Sequence, residues 1–262
     1  MAMDETARRN QEHWDGLVRD GFTYTRPWLD IDPALVESIA AGRGHALPEP
    51  YSYFYPPEVF EGVAGKDVLC LASGGGQQSA VFGLLGARVT VLDLSGGQLE
   101  ADREAAQHYG YEVKTIQGDM RDLSAFDDGS FDIVYQAISI VFVPSVREVY
   151  REAHRVLRPG GLYRVGHCNP ATQPVEETSW DGESYRIMKP YRERVIEDAE
   201  SMEFRHYLSE IFNDLIETGF ELRGVWEDPR HLAPAGGAAP GSREHCLEYV
   251  QNYFAILART AV

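Results

Sequence analysis

The chain has 262 residues, 44% of them hydrophobic and 25% charged, enough to bury a core without staples and outside the disordered class. Its formal net charge of -17 opposes phosphate backbones and anionic bilayers, and no Lys/Arg cluster offsets it. No apolar run reaches the ~18 residues of a membrane span, so nucleic acid and membrane are poor partners.

Cys70, Cys168 and Cys246 are odd in number and widely spaced, which suits a reducing compartment better than a disulfide framework. CxxC and HExxH are absent, and neighbours such as His167-Cys168 converge poorly on one ion, so no metal is expected. The N-terminal stretch is polar and has no apolar leader, which places the expected location in the cytoplasm.

Asp32-Pro33 pairs a side-chain acceptor with proline at the first helical position, predicting a short helix whose apolar face is Leu35, Val36 and Ile39 and whose stop is Gly42. The next segment, PEPYSYFYPPEVF, holds too much proline for a helix and concentrates Tyr51, Tyr53, Phe54 and Tyr55. From Lys66 a regular alternation begins. Val68 to Leu71 reads as a strand that breaks into Ser73-Gly74-Gly75-Gly76, followed by a helical stretch to Gly86. Arg88 to Leu92 is a β-branched strand with Asp93 at its end, and Ser95-x-x-Gln98 is a capping box opening a helix to Tyr109 that Gly110 stops.

Val113 to Ile116 is a third strand leading to Asp119-Met120, and Phe131 to Tyr135 a fourth after the Asp128-Gly129 turn. Ser145-x-x-Glu148 is a second capping box; its helix carries Val146, Val149, Tyr150, Ala153 and Leu157 on one side. Pro159-Gly160-Gly161 reverses the chain into a fifth strand, Leu162 to Gly166. The rhythm breaks from Asn169 to Arg205, where the charges of Glu193 to Glu203 read as a solvated helix face. It resumes with a helix at Leu208 to Thr218 and a strand at Phe220 to Trp226; a Gly/Ala/Pro-rich loop from Pro229 to Gly241 then precedes an apolar segment, Tyr253 to Ala258. Strands alternating with helices in this way predict a doubly wound α/β fold, a mostly parallel sheet covered on both faces.

A glycine turn after the first strand allows close approach of a ligand to the backbone and aims free N–H groups at negative charge. Asp93 stands nineteen residues after Gly74, at the end of the second strand, where a carboxylate can accept both ribose hydroxyls of an adenosine. Nicotinamide enzymes use a similar turn written GxGxxG, but Gly74-Gly75-Gly76-Gln77-Gln78-Ser79 lacks the third small residue.

In these residues the chain resembles the class I S-adenosylmethionine-dependent methyltransferases, in the small-molecule branch similar to ubiquinone/menaquinone-biosynthesis enzymes. DVLCLASGGGQQS resembles the first motif, VTVLDLS the second with Asp93 as the ribose acid, and GDM (Gly118 to Met120) the third, whose acid contacts the adenine amino group. FDIVYQ and LRPGG resemble the fourth strand and the turn before the fifth. Two positions depart: Cys70 replaces the usual acid of the first motif and Ala72 its first glycine, so holding the loop falls to Ser73 or to a backbone carbonyl.

The resemblance implies a seven-stranded Rossmann-like sheet with one antiparallel strand, suited by Tyr253 to Ala258. It implies a single domain over 1–262, with an N-terminal lid (1–62), a cofactor-binding core (63–168), a substrate-covering insertion (169–206) and the C-terminal part of the sheet (207–262). S-adenosyl-L-methionine is the implied cofactor, held by Ala72, Ser73, Gly74, Gly76, Gln78, Asp93, Leu94, Gln98, Asp119, Met120, Gln136 and Ala137.

The implied substrate is a small molecule, touched by His13, Trp14, Tyr51, Tyr55, Ser139, Tyr185 and Tyr191, with His167 as a candidate base. The end of the fourth strand, Gln136-Ala137-Ile138-Ser139, lacks the Asn/Asp-Pro-Pro-aromatic motif of nucleobase amino-methylating enzymes. A monomer or homodimer is expected. The alternatives on this fold are a non-catalytic S-adenosylmethionine-sensing protein and, more weakly, a nicotinamide-dependent reductase.

Overall fold

A computed structural model describes residues 4–43, 54–173, 175–197, 201–227 and 237–262. Tyr51, Tyr53 and most of the loop at 229–241 lie outside them. The main sheet contains β1 (Asp67–Leu71), β2 (Arg88–Asp93), β3 (Val113–Gln117), β4 (Phe131–Gln136), β5 (Leu157–Cys168), β8 (Phe220–Glu227) and β9 (Tyr253–Thr260). Its seven strands run in the order β3-β2-β1-β4-β5-β9-β8, and β9 is antiparallel to both neighbours. This is the seven-stranded, mostly parallel Rossmann-like sheet that the resemblance implies.

Position in the sheet explains composition. Central β1 reads Asp-Val-Leu-Cys-Leu and buries its last four residues, because both its faces are covered. Edge strand β8 buries Phe220 alone, and its remaining residues are exposed or half-buried. Two cores result. One centres on Leu69, Leu71, Val134, Tyr163 and Val165, under α5 (Val146–Val156) and α6 (Leu208–Thr218). The other joins Val68, Cys70, Ile133 and Tyr135 to α3 (Gln78–Leu84) and to residues from α2 (Pro33–Ala40).

The local signals fare unevenly. Asp32 caps α2 by accepting from the Ala34 N–H, and Gly110 closes α4 (Gly96–Tyr109) in the left-handed region at φ 75°. Ser95 caps α4, but its own amide donates to Asp93 rather than to Gln98, so the box is not reciprocal. Ser145 makes no capping bond, and α5 holds instead through its amphipathic face. Leu157 belongs to β5 rather than to that helix: the strand begins there and carries Pro159-Gly160-Gly161 within it, beside an irregularity in the pairing with Phe131 and Ile133.

The described residues of the charged stretch at 193–203 are no helix either: β6 (Val195–Glu197) and β7 (Met202–Phe204) pair antiparallel as a small hairpin. That hairpin and α1 (Glu5–Asp20) meet above the carboxyl ends of the strands. Asn10, 1% exposed, joins them: its Nδ2 donates to the carbonyls of Phe142 and Met202, both at 3.1 Å, and its Oδ1 accepts from the Met202 N–H at 2.8 Å. α7 (Arg243–Tyr249) completes the helices named here. No described helix is long and apolar enough to cross a membrane.

Candidate functional site

The strand order reverses between β1 and β4, and at such a switch point an open α/β sheet leaves a crevice beyond its carboxyl edge. A cavity of about 550 Å³ lies there, roofed by α1 and the hairpin, within the usual range for small-molecule sites.

Its floor begins with the turn after β1. Ala72 stands at φ 45°, a left-handed conformation that glycine adopts without penalty, which explains why this position is usually glycine in the motif it resembles. A Cβ on Gly74 would meet the Gln98 Cβ at 2.7 Å, and one on Gly76 the Ala101 carbonyl at 2.5 Å. These glycines let the loop lie against α4.

Two carboxylates hold that loop. Asp93 accepts from the Gly74 N–H at 3.0 Å and from the Ser95 N–H at 2.9 Å. Burial pushes its carboxyl above the ordinary value, against the pull of the two amides. Asp102, fully buried on α4, accepts from the N–H groups of Gly75 at 3.1 Å and Gly76 at 3.0 Å and from the Ser79 hydroxyl. Burial pushes it up to about 7, Ser79 pulls the other way, and repulsion from Asp93 adds to the rise.

Holding Gly75 and Gly76, expected of Ser73 or a carbonyl once Cys70 stands in place of an acid, is thus done by Asp102. Cys70 itself is buried, its thiol raised well above the ordinary value by burial and by Asp102's charge. Ser73 acts elsewhere. It donates to the Leu71 carbonyl and accepts from the Ala137 N–H, both at 3.0 Å, tying β1 to the end of β4.

Of the residues expected to hold the cofactor, Ala72, Ser73, Gly74, Gln78, Asp93, Leu94, Gln98, Met120 and Ala137 line the cavity. Gly76 packs behind it. Asp119 is turned away and paired with Arg121, Nη2 to Oδ2 at 2.5 Å, while its neighbours Gly118 and Met120 form the wall. Gln136 is fully buried beneath that wall, accepting from Tyr163 Oη at 2.5 Å and donating to Ser139 Oγ at 3.2 Å.

Of the expected acceptor contacts, His13, Trp14, Tyr55 and Ser139 line the cavity. Tyr185 does not: it bonds to His245 Nδ1 at 2.6 Å and packs against Trp180 and Tyr249. Tyr191 stacks on Tyr207 with ring centroids 5.0 Å apart, also outside.

His167 is a correction. Alternation along β5 sends Arg164, Gly166 and Cys168 to the cavity and His167 to the opposite face, where Nε2 meets Tyr150 Oη at 3.0 Å. Burial drives its imidazole well below the ordinary value, with smaller pushes from His206 and Arg164. It is a packed core residue. Among the described residues, His13 is the histidine on the cavity wall.

Several wall residues are given no role in the sequence reading: Asn10, Tyr24, Gln77, Arg164 and Arg243; Glu203, read there as part of a solvated helix face, is on the wall as well. Two buried groups do leave a usable signal. Asp102 interrupts the apolar face marked by Leu99 and Ala105, and Arg164 interrupts an apolar central strand.

The chain fits an adenosylated cofactor on an observation of its own. Asp93 and Gln98 line the floor, and Asp93 keeps carboxylate lone pairs beyond those given to the Gly74 and Ser95 amides, the acceptors that ribose hydroxyls require.

The comparisons agree with this architecture. A family profile described as a methyltransferase domain matches residues 69–165. The chain is 34% identical over 239 residues to an uncharacterized methyltransferase, YbaJ, of Bacillus subtilis, covering 86% of this chain and 92% of that one. It is 27% identical over 210 residues to the ubiquinone/menaquinone biosynthesis C-methyltransferase UbiE of Brucella canis, covering 78% and 72%. In fold it is similar to an S-adenosylmethionine dependent methyltransferase from Mesorhizobium loti, with TM-score 0.63 and 21% identity over 88% of this chain and 100% of that one.

Proposed function

The chain belongs to the S-adenosylmethionine-dependent methyltransferases, and we propose that it methylates a small-molecule acceptor bound between the strand ends and α1. The observation that carries this reading is the floor: Asp93 on the cavity wall, next to the close-packed glycine loop. The net charge of -17 supports a small molecule over nucleic acid.

Bound S-adenosylmethionine supplies a methyl group already activated on a sulfonium. What this chain supplies is position and dryness. Asp93 keeps lone pairs beyond those given to Gly74 and Ser95, and these accept ribose hydroxyls. Ala72, Ser73, Gln78, Leu94, Gln98, Met120 and Ala137 shape the floor around Asp93. Trp14 and Phe142, edge to face with centroids 5.6 Å apart, exclude water from the roof beside Tyr55 and Ser139. Orientation of this kind is worth about 7–11 kcal/mol of barrier.

Calorimetric titration of S-adenosylhomocysteine tests the reading. The wild type is expected to bind it, and Asp93→Ala to bind about one to two orders of magnitude more weakly, the equivalent of a charge-assisted hydrogen bond. Unchanged affinity in that variant places the ribose elsewhere. No binding by the wild type removes the reading.

A further inference from the structure

A charged group in the middle of a central strand needs a reason. Arg164 is 4% exposed on β5, between Tyr163 and Val165. Its Nε donates to the Tyr55 carbonyl at 3.2 Å and its Nη1 to the Gln136 carbonyl at 3.0 Å. The guanidinium carbon lies 5.3 Å from the Tyr55 ring centroid and 4.8 Å from that of Tyr135.

Two carbonyls and two ring faces hold the group in one pose, but none of them carries a negative charge. Among the described residues no carboxylate forms an ion pair with Arg164, and Nη2 has no protein acceptor yet is not sealed in; Arg164 borders the cavity. A guanidinium enclosed in this way is short of one anion.

Position narrows the source of that anion. β5 stands three strand spacings from β2, about 14 Å at the usual separation, with β1 and β4 between. Asp93 and the ribose it takes are at the other end of the floor. An adenosine held on Asp93 would leave the β5 end of the cavity, where Arg164 stands, to the acceptor. Aromatic rings from Trp28, Tyr55, Tyr135 and Phe254 line the cavity and suit an apolar body.

We propose that Arg164 anchors the acceptor, and that the acceptor is a small apolar or aromatic acid whose carboxylate docks on the free edge of the guanidinium. The planar fork matches a carboxylate, which adds orientation to charge. This inference rests on the methyltransferase reading of the cavity, and its test keeps the two separable.

The probes are benzoate and its neutral counterpart benzamide, titrated by calorimetry into the full chain with and without saturating S-adenosylhomocysteine. Benzoate is expected to bind the wild type about tenfold or more tighter than benzamide, and Arg164→Gln is expected to lose that preference while its S-adenosylhomocysteine affinity stays within about twofold. Arg164→Lys, which keeps the charge without the fork, is expected to keep part of the preference and serves if the glutamine variant does not fold.

Equal binding of the two probes by the wild type overturns the proposal, as does no measurable benzoate binding or a preference that survives in Arg164→Gln. So does a loss of S-adenosylhomocysteine affinity in Arg164→Gln with 5′-methylthioadenosine unaffected, since that gives Arg164 to the cofactor's own carboxylate. A wild type that prefers benzoate but ignores S-adenosylhomocysteine upholds the anion subsite and sinks the methyltransferase reading instead.

Discussion

The floor of the cavity and its roof are held by different means. The floor is backbone: strand ends in register and a glycine turn whose N–H groups are claimed by Asp93 and Asp102. The roof is side chains from segments far apart in the chain, joined by Asn10 to Phe142, 132 positions away, and to Met202, 192 positions away. A floor of that kind tolerates few changes and suits an invariant cofactor. A roof of this kind can be rebuilt one side chain at a time, which is what a change of acceptor requires.

The sharpest way to break that contrast is Asp102→Ala. It orphans the N–H groups of Gly75 and Gly76 in a buried setting, with an expected stability loss of about 3 kcal/mol in a denaturant titration and at least about tenfold weaker S-adenosylhomocysteine binding. Wild-type affinity in this variant means the loop needs no such anchor.

On the roof, Asn10→Ala leaves the carbonyls of Phe142 and Met202 and one N–H without partners, at an expected cost of about 2 kcal/mol. Hydrogen exchange is expected to quicken at Met202 and along α1 while the amides of Gly75 and Gly76 stay protected. Equal loss of protection in both regions erases the distinction between floor and roof.

The isosteric change Asp102→Asn sharpens the comparison through pH. Folding raises this carboxyl from 3.8 to about 7, so the native state keeps a proton that the unfolded state gives up. The group's stabilising contribution is therefore complete below pH 3.8 and is lost as pH climbs through about 7. Subtracting the melting temperature of Asp102→Asn from that of the wild type isolates it: the difference is expected to fall from pH 4 to pH 7, and a flat line contradicts the shift. The smallest effect is Ala72→Gly, which relieves a φ of 45° at the cost of extra freedom in the unfolded chain, for an expected net gain of about 0.5 kcal/mol.

The same division sets what the sequence can tell. Val68 to Leu71 and Arg88 to Leu92 are apolar runs and the Gly74/Asp93 pair stands at a fixed motif spacing, and each appears where the pattern puts it. Tyr185, Tyr191 and His167 suggest themselves only by proximity to a strand end or an insertion, and the chain turns all three away from the cavity. Strand parity alone removes His167, since Arg164, Gly166 and Cys168 share the other face. Asn10 and Glu203 have no local signal: their roles exist only once α1 and the hairpin have met. The hairpin itself is hidden because its charges, taken by themselves, look like a solvated helix.

The placement of β9 bears on how this sheet is assembled. Within the main sheet β8 touches β9 and nothing else, so it has no place to dock until β9 has lain down beside β5. Until then β5 offers an open row of N–H and C=O groups along Leu162 to Cys168, the kind of border on which a second chain can template itself. Any state in which β9 has not yet paired with β5 therefore leaves that border exposed and β8 undocked, and such a state is the one open to aggregation.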